Sequence, residues 1–527
     1  MPKIRMPARS FYDRTHDVKG DIDMGKMYPV LHEEVYPGDT FSLEAEILLR
    51  MTPMIRPIMH EMTAYYRIFF VRDWTIFPDF DEMISKGPDG ESDVTLPMNG
   101  ANYTVTLGSP EDWLNINPGV YDADSFNLMA LMSYNKCYND WYRPQNQVPD
   151  EVDLTDQSMK YTTWERDLFT GALPFTQRGP QVIMPLGTTA PVIGNGMTLG
   201  LTDGTTNYGL ARSSASNDGR LVASAGNYGT DVGTAPSGAV GSLYTYGITT
   251  DGEKSGMVAK LDAPGNGISV NDWRNYMQVQ SWMELNALGG VRYPELVLAH
   301  FGVVTPDARI SRAEYLGSMK VPVIVSEVLQ TSSTDETSPQ GNLAGHGIGA
   351  NRRGLFKRSF TEHGWLIGIL TWVPKSGYNQ GIPIEYQRES ALDFAWPLFT
   401  RLGMRDMPIK TLYTGAYLDS NGELTTPENG TWTPVSDPDA TFGYYTIYDE
   451  LRYKSNTVHG KFRTNLSFWH LNRLFNSAPQ LSQQFVECHP QTERIKEVTT
   501  ESDGFVQVLN RLKAYRQLPK NPTPWHF

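Results

Sequence analysis

The stretch Thr40–Met51 constrains the fold of this chain most, because apolar and polar side chains largely alternate along it. Its alternating apolar positions are Phe41, Leu43, Ala45, Ile47 and Leu49. A period of two predicts a β-strand with one buried face and one polar face. Segments 64–71, 364–373 and 443–453 also predict strands. Because these strands lie far apart in sequence, a sheet that pairs them needs long crossover connections.

The composition indicates a globular protein with many turns rather than a disordered chain. Of the 527 residues, 40% are hydrophobic and 20% are charged, which is close to the values of ordinary folded domains. This length allows one large domain or a few smaller ones, with a sizeable core. The 47 glycines and 35 prolines predict many turns and long loops between the strands.

The charge balance limits how this protein can contact nucleic acid. A formal net charge of −14 argues against a surface that binds phosphates everywhere, but it allows a local basic patch. The candidates are two basic segments near the termini: Lys3, Arg5, Arg9 and Arg14, and Arg511, Lys513, Arg516 and Lys520. Aromatic residues suited to stacking on unpaired bases accompany both segments. An ordinary solvated terminus is the alternative interpretation for each.

The sequence lacks the signatures of catalysis and metal binding. His60 and Glu61 are not followed by a histidine at position 64, and neither a Walker A motif nor a GxSxG elbow occurs. The two cysteines, Cys137 and Cys488, are too few for a disulfide framework and form no CxxC motif. They predict buried or incidental thiols in a reducing compartment. We therefore expect no enzyme activity, cofactor or metal, although the carboxylate pairs of glycosidases are defined by spatial separation and stay open.

No segment predicts secretion or membrane insertion. The basic residues at the N-terminus are followed by no apolar segment, so a signal peptide is not expected. No stretch approaches the roughly 20 apolar residues that a membrane-spanning helix requires. Folding in the cytoplasm is the natural expectation.

Helices are expected to be few. Residues 270–288 carry apolar side chains at helical spacing, with Asn271 or Asp272 as a cap and a glycine pair as a stop. Segments 126–134 and 504–515 are weaker helix candidates. The second of them carries a stripe at helical spacing, made of Phe505, Val508, Leu509 and Leu512.

Residues 188–267 differ in composition from the rest of the chain. They are rich in Gly, Ser, Thr, Asn and Ala, as in the run at 213–219, and offer little apolar area to offset their ordering entropy. The segment is far longer than an ordinary loop, so it is a functional, disordered or structured insertion. A linker between domains is the alternative. Residues 1–37, with few periodic apolar positions, are predicted to form an extended arm.

A highly individual run, HFGVVTPDARISRAEYLG, occupies residues 300–317. It resembles a signature of the major capsid proteins of microviruses, most closely of the gokushovirus-like branch, although Ala313 stands where that pattern usually has proline. Further segments resemble the same family in the same order: 164–167 with 172–174, 289–293, 328–332, 364–374 with 380–383, 450–454 and 467–471. Several motifs in order are far more specific than any one of them.

The resemblance implies a mainly β fold, a single eight-stranded antiparallel jelly-roll barrel with long loop insertions and a few helices. It divides the chain into an extended arm (1–37), a first part of the capsid domain (38–187), a surface insertion (188–267), the remainder of the domain (268–475) and a C-terminal extension (476–527). Family segments flank the insertion on both sides, which favours an insertion within one fold over a linker. In the gokushovirus-like branch, an insertion at this place projects near the threefold axes.

The implied function is assembly. The resemblance implies that identical copies form a T=1 icosahedral shell around circular single-stranded DNA, in a virion made in the host bacterial cytoplasm. The implied partners are further copies of the chain, the genome, a small basic DNA-packaging protein and a host surface receptor. Arg309, Arg312 and Glu314 are expected at a subunit interface, with ordinary surface ion pairs as the alternative. The alternative functions are a secreted β-sandwich adhesin or carbohydrate-binding protein and, third, a β-sandwich glycosidase.

Overall fold

The computed structural model describes residues 9–183, 269–329 and 343–520, together with the backbone of six short strands between residues 192 and 259. Contacts divide the chain into two compact units. The main unit comprises Met1–Arg178 and Glu284–Phe527, and the second unit comprises Gly179–Met283.

The strands and helices of the described residues follow one another in chain order. The strands are β1 (Ser10–Asp13), β2 (His16–Ile22), β3 (Met27–Val35), β4 (Thr40–Met51), β5 (Met62–Arg72), β6 (Tyr103–Val105), β7 (Gly119–Tyr121), β8 (Val192–Gly194), β9 (Leu199–Thr202), β10 (Asn207–Arg212), β11 (Leu221–Ala225), β12 (Tyr244–Gly247), β13 (Met257–Ala259), β14 (Glu314–Leu329), β15 (Leu343–Ser359), β16 (Gly364–Pro374), β17 (Met404–Pro408), β18 (Gly415–Leu418), β19 (Thr431–Pro434), β20 (Thr441–Thr446) and β21 (Gly504–Arg516). The α-helices are α1 (Asp73–Ile76), α2 (Phe80–Ser85), α3 (Pro110–Trp113), α4 (Met129–Cys137), α5 (Val270–Gly289), α6 (Tyr293–Phe301) and α7 (Gln483–Val486).

The main unit is built on one large antiparallel sheet. Its nine strands fill eight positions, because β1 and β2 pair with successive parts of β21. The order across the sheet is β1/β2, β21, β4, β15, β14, β5, β16 and β3. The sheet curls into a half-barrel, which is consistent with a jelly roll and confirms the predicted mainly β, eight-stranded antiparallel fold.

The inner face of the curled sheet forms the main hydrophobic core. The alternation predicted for β4 is confirmed, with at most 1% exposure for Phe41, Leu43, Ala45, Ile47 and Leu49. Asn510 of β21 is buried among these apolar residues, where its side chain accepts a hydrogen bond from the Tyr66 hydroxyl (2.8 Å) and donates one to the Val30 carbonyl (2.9 Å). These bonds join β21 to β5 and β3 across the interior. Strands so distant in the sheet order meet only because the sheet curls.

One half of the sheet is covered on both faces. Phe69 of β5 and Ile367 and Ile369 of β16 pack in a second apolar cluster with the side chains of α4. The Tyr134 hydroxyl of α4 also donates to the Met27 carbonyl of β3 at 3.0 Å. The other half, formed by β21, β4 and β15, leaves alternate side chains of one face open to solvent. That free face carries part of the candidate functional surface.

Residues 504–515 form strand β21, so the helix prediction for this segment is wrong. Alternate residues of the segment are buried, namely Val506, Val508, Asn510, Leu512 and Ala514. The strand pairs with β4 along one edge and with β1 and β2 along the other. Its apolar residues fit both a helical and a strand period, and pairing with distant strands selects the latter.

The other predicted elements of the main unit are mostly found. Segments 64–71 and 364–373 lie within β5 and β16, which confirms both strands. Segment 443–453 is a strand only at its start, because β20 ends at Thr446 and a 3-10 turn occupies Asp449–Leu451. The weaker helix prediction for 126–134 is confirmed in part by α4, which begins three residues later.

The second unit contains small antiparallel sheets. Strands β11, β10, β9 and β12 form one sheet in that order, and β13 pairs with β8. Helix α5 confirms the helix predicted for 270–288. Among the described residues, no helix has the length and apolar character needed to cross a membrane. Most of 188–267, including the run at 213–219, lies outside the described residues, so its role as a surface insertion stays a prediction.

Candidate nucleic-acid and assembly surfaces

The N-terminal arm and the C-terminal strand lie side by side at one edge of the large sheet. Strands β1 and β2 run antiparallel to β21, with Ser10 opposite Arg516. Two basic segments from opposite ends of the sequence therefore form one surface, an adjacency that the sequence analysis did not predict. Lys3 and Arg5 lie outside the described residues.

Carboxylates neutralise several of these basic side chains. Glu33, 6% exposed, accepts hydrogen bonds from Arg14 at 2.8 Å and from Arg516 at 2.9 Å. The Arg516 guanidinium is also 3.2 Å from the carboxylate of Asp39. The hydrogen bond to Glu33 raises the pKa of Arg14, and burial raises the pKa of Asp39. Arg14 and Arg516 therefore serve first to hold the arm and the C-terminal strand to β3.

The solvent-exposed face of β21 carries two further basic side chains, Arg511 and Lys513, beside aromatic rings. Arg511 on this face pairs with Glu46 of β4 at 3.2 Å. Lys513 is exposed, and the rings of Phe11 and Tyr515 lie next to it with their centroids 5.3 Å apart. Among the described residues of the two basic segments, the exposed cations outside these ion pairs are Arg9, Lys513 and Lys520. This combination can bind phosphates and stack on unpaired bases.

Arg312, predicted at a subunit interface, makes contacts within its own chain. Its guanidinium lies 3.7 Å from the centre of the Trp141 ring and donates a hydrogen bond to the Asp140 carbonyl at 2.8 Å. Arg309, by contrast, is exposed on the 3-10 turn that follows α6. Of these two arginines, only Arg309 therefore offers its guanidinium directly to a partner.

Glu314, the third predicted interface residue, is buried. It is 5% exposed and forms ion pairs with Arg72, itself buried, and with Arg358 at 2.6 Å. Arg72 also pairs with Glu362. This network joins β14, β5 and the end of β15 within one copy. The interface role predicted for Arg309, Arg312 and Glu314 stays a prediction.

The apolar residues of the same sequence motif are the exposed ones. We call helix α6 and the loop through residue 304 the α6 surface. Its large apolar side chains are 51–78% exposed, and they are Tyr293, Leu298, Phe301, Val303 and Val304. His300 of this helix bonds the Asn286 side chain at 2.6 Å, in keeping with a structural histidine. The residues predicted for an interface in this motif are charged, whereas its exposed apolar pair, Val303 and Val304, is the more informative signal.

Residues 382–402 form a second exposed apolar surface, called the 382–402 surface below. Its large apolar side chains are 41–80% exposed, and they are Ile382, Tyr386, Leu392, Phe394, Trp396, Leu398 and Leu402. Large exposed apolar areas on folded proteins mark sites of interaction. Both surfaces are therefore candidates for contact with another protein surface.

Burial shifts the pKa values of an acidic side chain and of both thiols in the main unit. Asp73 is 8% exposed, its Oδ1 has no hydrogen-bond partner among the described residues, and burial together with the charge of Glu34 raises its pKa to about 7. Cys137 and Cys488 are free and buried, and burial raises the pKa of each thiol. The prediction of buried thiols is therefore confirmed, and neither cysteine is placed for thiolate chemistry.

Known proteins resemble this chain over nearly its whole length. A family model described as capsid protein (F protein) matches residues 3–525. The chain is 29% identical to capsid protein VP1 of Chlamydia phage 1, covering 98% of this chain and 95% of that protein. It is 28% identical to capsid protein VP1 of Bdellovibrio phage phiMH2K (93% and 90% covered) and of Spiroplasma virus 4 (88% and 85%). These matches confirm the resemblance that the ordered motifs predicted.

Proposed function

Since the chain belongs to the phage capsid protein (F protein) family, we propose that identical copies of it close into a T=1 icosahedral shell around a circular single-stranded DNA genome. Family membership makes it a structural capsid protein of the virion and not an enzyme. Contacts between copies close into a shell only when the angles between subunits are right. Each copy therefore needs extended surfaces that fit its neighbours.

The two exposed apolar surfaces are the observation that most supports this assembly. The α6 surface exposes Phe301 by 74% and Val304 by 78%, and the 382–402 surface exposes Tyr386 by 80%. Leaving such side chains in water is unfavourable, and burying each would contribute roughly 1.5–3 kcal/mol. In a shell built from many identical subunits, the most abundant surface that a subunit can contact is that of another subunit.

Electron microscopy and sedimentation of the purified full-length chain test the assembly. We expect uniform closed particles with icosahedral symmetry, and more than about 1,000 Å² buried at each specific contact. A chain that stays monomeric under every condition that preserves virions would refute the proposal. Binding to immobilised glycans by a monomeric chain would instead revive the adhesin alternative.

We place DNA contact at the paired arm and β21. The exposed cations Arg9, Lys513 and Lys520 support this placement, as do the adjacent rings of Phe11 and Tyr515. An acidic chain cannot hold a genome by its overall charge, so the contact has to be local. A small basic DNA-packaging protein would supply part of the remaining positive charge.

Neutralising the arm tests this placement. Replacing Lys3, Arg5, Arg9 and Arg14 together with glutamine should lower the DNA content of particles more than the yield of shells. A matched control is Lys454→Gln, which removes an exposed cation that pairs with Glu385. Equal DNA content in both variants, or an arm on the outer surface of assembled particles, would overturn the placement.

We propose that residues 188–267 serve attachment to a host surface receptor and that the protein is made in the host bacterial cytoplasm. The flanking family motifs and the separate compactness of Gly179–Met283 support an insertion that the barrel does not need. A short Gly/Ser linker in place of 188–267 should leave the barrel folded and chiefly reduce adsorption to host cells. An unfolded barrel would show that the segment belongs to the core.

A further inference from the structure

Trp164 and residues between 471 and 491 line a cavity of about 320 Å³ that the assembly proposal does not use. We call it the Arg473 cavity. Its floor includes the buried Trp164, Leu471 and Phe485, and its rim is formed by residues between 474 and 491. The volume lies within the range of small-molecule sites.

One buried hydrogen-bond donor at this cavity lacks an acceptor, and a half-buried guanidinium lies beside it. Trp164 is 3% exposed, and its Nε1–H has no partner among the described residues. The guanidinium of Arg473 carries several N–H donors, of which the structure pairs one, at 3.4 Å from the Tyr378 hydroxyl. Buried polar groups in folded proteins are nearly always paired, so the Trp164 N–H and the neighbouring guanidinium together offer an acceptor a place to bind.

Aromatic rings hold the Arg473 guanidinium in place. It lies 4.0 Å from the centre of the Phe485 ring and 5.2 Å from that of Trp164, with Phe475 and Tyr378 at 5.4 and 5.7 Å. Among the described residues, no carboxylate pairs with it. Cation–π contact stabilises the charge without using its donors. The guanidinium is therefore positioned to bind an anion.

The residues that line the cavity indicate which kind of anion would fit it. None of its lining residues is acidic, which is unusual on a chain with a net charge of −14. The rim instead presents exposed amide side chains from Asn476, Gln480 and Gln484. The amide of Gln491 is held by the Leu474 carbonyl at 2.9 Å and by Arg494 at 3.2 Å. Amides can both donate to and accept from the edges of an unpaired base, and aromatic rings can stack on its face. A bare carboxylate would use neither feature.

We propose that the Arg473 cavity binds one nucleotide of single-stranded DNA, with its phosphate on Arg473 and Trp164 and its base among the rim amides. This inference rests on the proposed function, which supplies the single-stranded genome. It adds a binding site formed by Trp164 and the C-terminal extension, separate from the basic arm. Each copy in a shell would then hold the genome at a fixed point.

Titration of the purified full-length chain with thymidine 5′-monophosphate tests the site. We expect one site per chain, competition by inorganic phosphate, and little binding of unphosphorylated thymidine. Arg473→Met should weaken binding by at least about tenfold, because charge-assisted hydrogen bonds are lost. Trp164→Phe keeps a ring but removes the donor, and should weaken binding by a few fold.

Trp372→Phe is the matched control. Trp372 is also buried with an unpaired Nε1–H, but it lies in the barrel core and does not line the cavity. The Trp372→Phe variant should bind the nucleotide as tightly as the unchanged chain does. Should Arg473→Met fail to fold, as judged by thermal unfolding, Trp164→Phe still tests the site.

Two results of the titration would overturn the inference. One is acetate competing as well as phosphate, which would indicate a carboxylate ligand. The other is unchanged nucleotide binding in both cavity variants. DNA-filled shells of the unchanged chain that show no nucleotide at the cavity would refute this site alone, whereas failure of the unchanged chain to form shells would refute the proposed function.

Discussion

The carboxylate of Glu33 lies 2.9 Å from the guanidinium of Arg516, which joins the start of the chain to its C-terminal strand. The same carboxylate accepts a hydrogen bond from Arg14. Glu33 and Arg516 are both largely buried, whereas Arg14 is about half exposed. One acidic side chain on β3 therefore holds two basic segments that come from opposite ends of the sequence.

Glu33→Gln should loosen the arm. A neutral amide cannot pair with two guanidinium groups, and we expect a loss of roughly 1–3 kcal/mol in the free energy of unfolding. Chemical denaturation measures the loss, and limited proteolysis should cut the N-terminal arm sooner. Glu34→Gln is the control, because Glu34 is exposed and its carboxylate bonds only the Tyr36 hydroxyl among the described residues. Equal effects of both changes would contradict the specific role of Glu33.

Asp73 should make stability depend on pH. Its pKa rises from about 3.9 in an unfolded chain to about 7 in the fold, so the folded state binds the proton more tightly. The free energy of unfolding should therefore fall as pH rises from about 4 to about 7, by roughly 2–4 kcal/mol at most.

Asp73→Asn should remove that dependence and stabilise the protein at pH 8. Urea denaturation between pH 4 and pH 8 measures both effects, with the exposed Asp79→Asn as control. If the pH dependence of Asp73→Asn equals that of the unchanged chain, Asp73 is not the group responsible.

Gly20 should not tolerate a side chain. A Cβ at this position of β2 would overlap the ring of Trp113, which packs against Tyr28 with ring centroids 4.7 Å apart. Gly20→Ala should cost about 1–3 kcal/mol, as overpacking usually does. Gly354→Ala is the matched control, since a Cβ on this strand residue meets no atom within 4 Å. Thermal unfolding should separate the two variants clearly, and a stable Gly20→Ala protein would contradict the close packing of Trp113.

The α6 surface should be needed for assembly but not for folding. Phe301→Ser and Val304→Ser remove exposed apolar contacts, so the unfolding free energy of a single copy should change by less than about 0.5 kcal/mol. Shell yield by sedimentation should fall markedly. Leu107→Ser, which changes an 86% exposed leucine outside both apolar surfaces, is the control. Full shell yield in both α6 variants would exclude this surface from the contacts between copies.

The spacing of apolar residues in the sequence correctly predicted the strands and helices whose buried side chains recur at a fixed interval along the chain. The alternation in β4 identified its buried face correctly, because a strand of period two turns the same residues inward in any sheet. The spacing in 270–288 predicted α5 for the same reason, since a helix forms its hydrogen bonds within itself. The ordered motifs then pointed to the capsid family, which the whole-chain match confirmed.

Only the tertiary structure decided the remaining features, because they depend on residues that are distant in sequence. The apolar residues of β21 also fit the spacing of a helix. The segment is a strand because it pairs with β1, β2 and β4. The contacts that Arg312 makes with Trp141, and Glu314 with Arg72, within one copy could not be read from the motif, while their predicted interface role stays a prediction. The contact between Trp164 and Arg473, with the guanidinium 5.2 Å from the ring centre, could not be predicted from the sequence around either residue. Only the folded chain brings the two side chains together, because no local period encodes their proximity.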